Sequence, residues 1–283
     1  MTILFKKNNQ WLPIKNIYSY QNNHWKSIKQ CYVKQSGIWQ NVWQNTIIFI
    51  NDIPQTSISI FELMGSPSKS GDYIFINNAE ITANYGEPAL KTGIFPKKSK
   101  LTIINNSYIR GHGGNGGKSR TDGEPGGDAI LIEYPCIIDN NNGYLYGGGG
   151  GGGGFWVSYS SDDSFWYALG GSGGAGSISG ISVENLTGSI GNPTTVINPT
   201  NGTINNGGGF GQTAYTGNPP ATYKSGAGGG LGKAGETATL YSGGGKVRHK
   251  LYSGGAGGLA VNKNNFEVTV LNINEENIKG EIL

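Results

Sequence analysis

A chain of 283 residues with 36% hydrophobic and 14% charged residues has room for one large domain or two smaller ones, but for only a small conventional core. The formal net charge of +3 is too weak to indicate nucleic-acid binding, and no basic arm is visible. No apolar run reaches the roughly 18 residues that span a bilayer, and the N-terminus lacks the apolar core of a secretory signal.

The first 45 residues contain a repeat in which tryptophan recurs at a constant spacing, at Trp11, Trp25 and Trp39. Each unit reads as a strand, a polar turn and a second strand, and turn pairs such as Ser36-Gly37 tolerate the positive φ angles of tight hairpins. We expect β-hairpins over residues 1–45 that act as an attachment module with these tryptophans as its contacts, because exposed aromatic stripes mark contact surfaces. An ordinary β-meander core is the alternative.

Residues 46–105 read as a conventional β region, and helix signals are nearly absent from the whole chain. Strand-type alternation predicts strands at Ser57–Phe61, Tyr73–Ile76 and Leu101–Ile104. The alternation of Phe266, Val268 and Val270 with polar residues predicts a closing strand near the end of the chain.

From residue 101 a looser repeat appears, in which an apolar strand, an Asn-rich turn and a second strand lead into a glycine block. Copies are visible at residues 103–111, 137–146 and 196–206, with a weaker copy at 181–191. This pattern indicates stacked layers of strand and glycine, as in solenoid-like folds.

All but six of the 50 glycines lie within residues 111–258, in blocks such as GHGGNGG (111–117) and GGGGGGGG (147–154). A disordered linker is one interpretation, but 15 Tyr, 9 Phe and 6 Trp are unusual for a disordered chain. The alternative is a set of extended helices with three residues per turn, which bond to one another because glycine lets backbones approach closely. We expect residues 106–283 to form a sandwich of packed polyglycine-II helices.

The segments between the glycine blocks are rich in Tyr, Trp, Ser and Asn, the composition of loop-based recognition surfaces. They span residues 118–125, 155–169, 212–225, 236–242 and 246–253. Phe155, Trp156 and Leu169 adjoin glycine blocks, and we expect them to pack on the scaffold. The residues that we expect to bind a receptor are Tyr159, Asp162, Phe165, Trp166, Tyr167, Tyr215, Tyr223, Tyr241, Arg248, His249 and Tyr252.

No motif predicts catalysis or a cofactor. The G-x-G-x-x-G match at 111–116 is not followed by a helix, as a dinucleotide site requires. The three histidines lack metal-ligand spacing, and the adjacent pair Asp162-Asp163 points apart on a strand. Cys31 and Cys136 form no disulfide framework, and we interpret both as reduced. We therefore predict a protein without enzymatic activity, metal or cofactor.

The segments NAEITANYGEPALKTG, LTIINNSYIRGHGGNGG, GGDAILIE and IIDNNNGYLYGGGGGGGG resemble the glycine-rich domain of T-even-type bacteriophage tail fibre tip adhesins. The resemblance covers roughly residues 77–283. It implies a polyglycine-II sandwich whose loops bind an outer-membrane protein or a surface glycan. It also implies an N-terminal part that attaches one adhesin copy to the tip of a trimeric long tail fibre. The tryptophan repeat does not resemble the attachment region of that family.

We interpret the chain as mainly β and irregular, with an attachment module (1–45), a β region (46–105) and a glycine-rich receptor-binding domain (106–283). The expected function is that of a phage adhesin at the distal tip of a tail fibre, made in the host cytoplasm and not inserted in a membrane. A structural polyglycine protein that binds ice or glycans and a glycan depolymerase are the alternatives. The sequence identifies neither the host nor the receptor.

Overall fold

The computed structural model describes residues 4–7, 10–13, 17–21, 24–28, 30–35, 38–44, 46–118, 120–158, 166–183, 195–215, 221–242 and 248–283. Side chains are described for residue 34 and for residues 46–118, 120–158, 168–183, 196–214, 221–240 and 248–283. No helix in these ranges is long and apolar enough to cross a membrane.

The N-terminal residues form three antiparallel hairpins, as the repeat predicts. Their strands are β1 (Leu4–Lys7), β2 (Gln10–Pro13), β3 (Ile17–Gln21), β4 (His24–Ile28), β5 (Gln30–Gln35) and β6 (Ile38–Gln44), and they pair as β1 with β2, β3 with β4 and β5 with β6. Trp11, Trp25 and Trp39 each lie in the second strand of a hairpin. Their side chains lie outside the described residues.

A parallel β-solenoid follows. Its early strands are β7 (Thr46–Asn51), β8 (Gln55–Thr56), β9 (Ile58–Ser59), β10 (Asp72–Asn77), β11 (Ile81–Thr82), β12 (Leu90–Lys91), β13 (Lys100–Asn105), β14 (Tyr108–Arg110), β15 (Ile130–Leu131), β16 (Cys136–Asp139) and β17 (Tyr144–Tyr146). Strands β18 (Phe155–Ser158), β19 (Trp166–Leu169), β20 (Thr195–Ile197), β21 (Gln212–Tyr215), β22 (Ala221–Lys224), β23 (Thr239–Ser242) and β24 (Arg248–Leu251) lie outside the solenoid, which then continues in β25 (Val261–Asn262), β26 (Val268–Leu271) and β27 (Ile278–Lys279).

Three parallel sheets make up the solenoid, and each coil of the chain contributes one strand to each sheet in turn. The sheet orders are β26-β16-β13-β10-β7, β27-β17-β14-β11-β8 and β25-β15-β12-β9. The predicted stacking of the strands that precede the glycine blocks at 111 and 147 is therefore correct. The predicted copy at 196–206 is wrong, because β20 pairs antiparallel with β21 in a separate sheet.

A ladder of buried asparagines lies at the corner between the first two strands of successive coils. Asn51 donates to Asn77, Asn77 to Asn105, and Asn105 to Asn140, over 2.8, 2.9 and 2.8 Å. These side chains are at most 2% exposed, so each amide needs the next one to satisfy its hydrogen-bonding groups. The Asn-rich turns of the copies at 103–111 and 137–146 are two of these corners.

Apolar side chains from all three sheets fill the solenoid and form its core. Fully buried members include Ile60, Phe75, Ile81, Leu90, Ile103, Ile109, Ile130, Ile138 and Leu145. The sheets run across the predicted boundary at residue 105, because strands from residues 46–105 and from residues 106–283 stack in the same sheets.

The strand predicted at Ser57–Phe61 is only partly correct. Strand β9 ends at Ser59, and the helix α1 (Ile60–Leu63) begins there. Ser59 caps this helix, since its hydroxyl accepts a hydrogen bond from the Glu62 N–H at 3.5 Å. The strand is therefore shorter than the apolar alternation predicted, because a capped helix begins at Ile60.

The glycine bundle comprises the glycine-rich segments between residues 111 and 258, and the octaglycine run 147–154 is its centre. The N–H groups of this run donate to three neighbouring segments, and the recipient segment repeats every third residue. Gly148 and Gly151 donate to Gly127 O and Glu124 O, and Gly149 and Gly152 donate to Ala175 O and Ser172 O. Gly150 and Gly153 donate to Lys233 O and Glu236 O, and all six distances are 2.7–3.0 Å. Its C=O groups accept from three more segments, through Gly114 and Gly117, Gly226 and Gly229, and Gly255 and Gly258. The octaglycine run thus has six hydrogen-bonded neighbours.

This three-residue period is the one expected for extended helices with three residues per turn and no internal hydrogen bonds. Their assignment as polyglycine-II helices stays a prediction. The need for glycine is explicit in the packing: a Cβ atom on any residue of 147–154 would fall well inside 3.0 Å of a backbone oxygen of a neighbouring segment. Real Cβ atoms essentially never approach that closely, so a side chain would force the segments apart.

We predict that Gly150→Ala destabilises the protein by roughly 3 kcal/mol or more, because the added methyl group overlaps the Gly255 carbonyl and the backbone must shift. Gly150→Val, with a branched side chain, should prevent folding of the bundle. Gly230→Ala is the matched control, since no atom lies within 4 Å of its Cβ position. Chemical denaturation of the three variants measures the effect, and equal stability of Gly150→Ala and Gly230→Ala would rule out this packing.

Candidate functional site

The long inserts of the glycine region all leave the bundle at one end. We call this the distal end; it is the end at Gly154, opposite the end at Gly147 where strand β17 enters. The turn 118–122 follows Gly117, whose N–H bonds to Gly152 O at 2.8 Å, and the segment 237–251 ends at Tyr252, whose N–H bonds to Gly154 O at 3.0 Å. The hydrogen-bond register therefore gathers inserts that are far apart in sequence.

The other inserts also connect to the bundle at its distal end. The insert 155–169 continues directly from Gly154, and the insert 212–225 returns at Gly226, which bonds to Gly153 O at 2.8 Å. The chain also enters residues 184–194 from this level, since the Val183 N–H bonds to Gly171 O at 3.1 Å. The structure thus brings all the predicted recognition segments to one end of a rigid scaffold.

Two small antiparallel sheets form the bases of these inserts. Their orders are β19-β18-β24 and β20-β21-β22-β23. A second hydrophobic core involves both sheets and contains Phe155, Val157, Leu169, Ala221, Tyr223 and Ala238, with Leu240 and Leu251 packed against it. Phe155 and Leu169 are fully buried, as expected from their place beside the glycine blocks.

The described residues contain the bases of the inserts, and eight of the eleven predicted receptor-binding residues lie in these bases. Tyr159, Asp162 and Phe165 lie outside the described residues. Trp166 and Tyr167 lie in β19, Tyr215 in β21 and Tyr241 in β23, and their side chains are not described. Arg248 and His249 are exposed, and Tyr252 is partly buried.

Tyr223 was predicted to be an exposed receptor-binding residue because it lies within an insert, but its side chain is buried. Its side chain is 2% exposed and stacks on Phe155, with the ring centroids 5.5 Å apart. The position explains the error, because Tyr223 lies in β22 with Ala221 on the face that points into the second core. Tyr223 therefore belongs to the support of the site and not to its surface.

Trp156 departs from the expectation that it packs on the scaffold, because it is only partly buried and lies on the outer face of the sheet β19-β18-β24, opposite Phe155 and Val157. Trp156 pairs with Lys250 across β18 and β24, and the Arg120 guanidinium lies 4.8 Å from the centroid of the indole ring. Lys250 also lies over the ring of Tyr252, at 5.0 Å. Arg120 and Lys250 were predicted only as parts of inserts, and no sequence pattern indicates that residue 120 meets residue 156.

A shallow groove of about 430 Å³ lies where the solenoid corner 83–89 meets the bundle. His112 accepts a hydrogen bond from the Gly86 N–H through Nε2, at 3.0 Å, so its other nitrogen donates to Gly113 O at 3.1 Å. The Tyr85 hydroxyl donates to Glu124. Burial and this carboxylate raise the pKa of Tyr85 to about 12, so the phenol is neutral at physiological pH. These groups fasten the bundle to the solenoid.

Tyr223 and Arg248 provide a test of which insert residues support the fold. Tyr223→Ala should destabilise the protein by about 3–5 kcal/mol, because it empties a packed aromatic site in the second core. Arg248→Ala should change stability by less than about 0.5 kcal/mol, because the side chain is exposed. Denaturant titrations of both variants decide the point, and an unchanged midpoint for Tyr223→Ala would contradict the packing.

Comparisons with known proteins identify the family of this chain. The family model for the phage tail fibre adhesin Gp38 matches residues 35–283. The crystal structure of the gp37-gp38 adhesin tip complex of the bacteriophage S16 long tail fibre is similar, with a TM-score of 0.54 and 25% sequence identity. The match covers 85% of this chain and 83% of that chain. No curated protein matches. The chain belongs to the Gp38 family of phage tail fibre adhesins, whose general role is receptor binding.

Proposed function

We propose that this adhesin binds its bacterial receptor, an outer-membrane protein or a surface glycan, through the distal tips of the inserts. The tips are residues 118–122, 159–165, 184–194, 216–220 and 243–247. The observation that supports this proposal is that the inserts that carry these tips all leave the bundle at its distal end. A scaffold held by backbone hydrogen bonds leaves the tip side chains free for recognition, as in other loop-based binding sites.

The second core supports this role because it fixes the strands that carry the tips. Val157 and Ala168 are fully buried on either side of the tip 159–165, and Ala221 is buried after the tip 216–220. Rigid bases reduce the conformational entropy that binding costs. Variation in the tips therefore changes the ligand that is bound and leaves the bases in place.

We predict that replacing residues 159–165 with a Gly/Ser segment of equal length weakens binding to host cells by at least about tenfold, because hot-spot aromatic residues contribute about 2 kcal/mol or more each. The equivalent replacement of residues 216–220 removes Asn218 and the Pro219-Pro220 pair, with no aromatic residue among them, and should weaken binding to a smaller extent. The melting transition should not change, because neither swap reaches the second core.

The matched control is the exposed solenoid loop 66–70, replaced in the same way. Cell binding is measured with labelled protein on host cells. If both tip variants bind as the wild type does, these two tips do not form the recognition surface. A wider swap over 156–168 would remove Val157 and Ala168 and would confound binding with folding.

The family and the similar solved structure place this chain on a phage tail fibre. We infer that its partner is the tip of the trimeric fibre protein, with one adhesin copy per fibre, and that residues 1–45 form the attachment module. The first coil supports this arrangement: β7 is an edge strand directly after the hairpins, and Ile48 and Ile50 on it are 55% and 51% exposed. Exposed apolar side chains on an unpaired edge favour coverage by a partner.

Deleting residues 1–45 should leave a folded protein that no longer joins the fibre, because residues 46–283 contain both hydrophobic cores. The finer variant Trp11→Ala, Trp25→Ala and Trp39→Ala should have the same effect in the full chain. Co-purification with the fibre protein measures assembly, and melting of the free adhesin checks its fold. Assembly of both variants at the wild-type level would mean that the attachment surface lies elsewhere.

A further inference from the structure

We propose that the distal end carries a binding site for an anionic saccharide on the outer face of the sheet β19-β18-β24. The site, which we call the cationic face, consists of Lys118, Arg120, Trp156, Arg248 and Lys250. This inference rests on the proposed function, since it assigns a chemical class of ligand to the same end of the bundle. The ligand is a surface sugar that bears phosphate or carboxylate groups.

The strand register places the basic residues of β24 on the outer face. In β18, Phe155 and Val157 are fully buried in the second core, so Trp156 lies on the opposite face. Residues that pair across antiparallel strands share a face. Trp156 pairs with Lys250 and Ser158 pairs with Arg248, so both cations lie on the same side of the sheet as the indole.

The turn 118–122 adds the remaining cations. It is closed by a hydrogen bond from the Thr121 N–H to Lys118 O at 3.1 Å, and the Asp122 carboxylate accepts from the Ser253 N–H at 2.8 Å. The second bond holds the turn beside the end of β24. Arg120 therefore stands over Trp156, 4.8 Å from its ring centroid.

No described residue neutralises the charges on this face. Lys118, Arg120, Arg248 and Lys250 are exposed, and none of them forms an ion pair with another described residue. Asp122 lies in the same turn as Arg120, but one of its oxygens already accepts the Ser253 N–H. Glu236 is a further exposed acid near the ends of these segments. Among the residues that the structure describes, cations thus outnumber acids here, which favours an anionic ligand.

The residue types match the chemistry of an anionic sugar. An arginine guanidinium presents a planar set of donors that fits the oxygens of phosphate or carboxylate, and lysine adds a mobile point charge. Trp156 and Tyr252 are partly exposed, and the parts of their rings that Arg120 and Lys250 leave uncovered offer apolar surface at which the C–H groups of a sugar can pack beside the cations. The combination of aromatic surface and cations fits a charged saccharide better than a neutral one.

The test uses the full-length adhesin and immobilised lipopolysaccharide of the host. The probes are native, dephosphorylated and carboxyl-reduced lipopolysaccharide. The variant Arg120→Gln, Arg248→Gln, Lys250→Gln should bind the native probe roughly tenfold or more weakly than the wild type, because hydrogen bonds to charged groups are lost. Higher salt should weaken wild-type binding more than variant binding.

The charge-matched control Lys97→Gln, Lys100→Gln, Lys233→Gln changes three exposed lysines outside the cationic face and should bind normally. Loss of binding after dephosphorylation assigns the ligand as a phosphate, and loss after carboxyl reduction assigns it as a carboxylate. Equal binding of wild type and cationic-face variant to every probe overturns the proposal. A variant that loses binding only to protease-sensitive sites on cells also overturns it, and points to acidic loops of a surface protein.

The two proposals fail in different ways. If the cationic-face variant binds all probes normally while the tip swaps abolish cell binding, the anionic-sugar site is wrong and the receptor role of the tips stands. If neither the tip swaps nor the cationic-face variant changes binding, both proposals are wrong.

Discussion

Lateral hydrogen bonds between glycine backbones are the interaction on which this adhesin depends. The octaglycine run bonds to six neighbouring segments, and almost no side chains take part. Extended segments of this kind have no internal hydrogen bonds, so every buried amide must find its partner in another segment. Glycine also loses more conformational entropy on folding than any other residue. The bundle is therefore stable only as a whole, because each segment satisfies groups of several others at once.

A bundle of glycines has no side chains with which to specify its own register, and the rest of the fold supplies that information. Strands β14 and β17 pair in parallel, and the pairing continues directly into the bundle: Gly111 bonds to Tyr146 O, and Gly114 to Gly149 O, both at 2.8 Å. The solenoid thus sets the alignment of the first two glycine segments. His112, with both ring nitrogens bonded, and the second core at Phe155 fix the two ends. A slip of one segment would break contacts at both ends.

The sequence predicted the parts of this structure that leave a pattern in residue type. Tryptophan spacing identified the hairpins, and the Asn-rich turns before glycine blocks identified the stacked corners of the solenoid. The sequence did not predict which glycine segments are neighbours, because identical residues do not indicate which segment pairs with which. The contact of Arg120 with Trp156 was not predicted either, because it depends on which glycine segments lie side by side. Tyr223 was misplaced because an aromatic residue in a polar insert looks alike whether it faces the core or the solvent.

In this fold the backbone and the side chains have largely separate roles, and this separation bears on how the fold presents a binding surface. In most binding domains, side chains both stabilise the scaffold and contact the ligand, so a change in specificity risks stability. Here the bundle is stabilised by backbone groups, and the bases of the inserts by a small buried core. The proposed tips include none of the residues of the second core, and effects at separated sites are close to additive. Under the proposed role of the tips, stability therefore restricts the bases at the distal end, such as Phe155 and Tyr223, more than it restricts the tips.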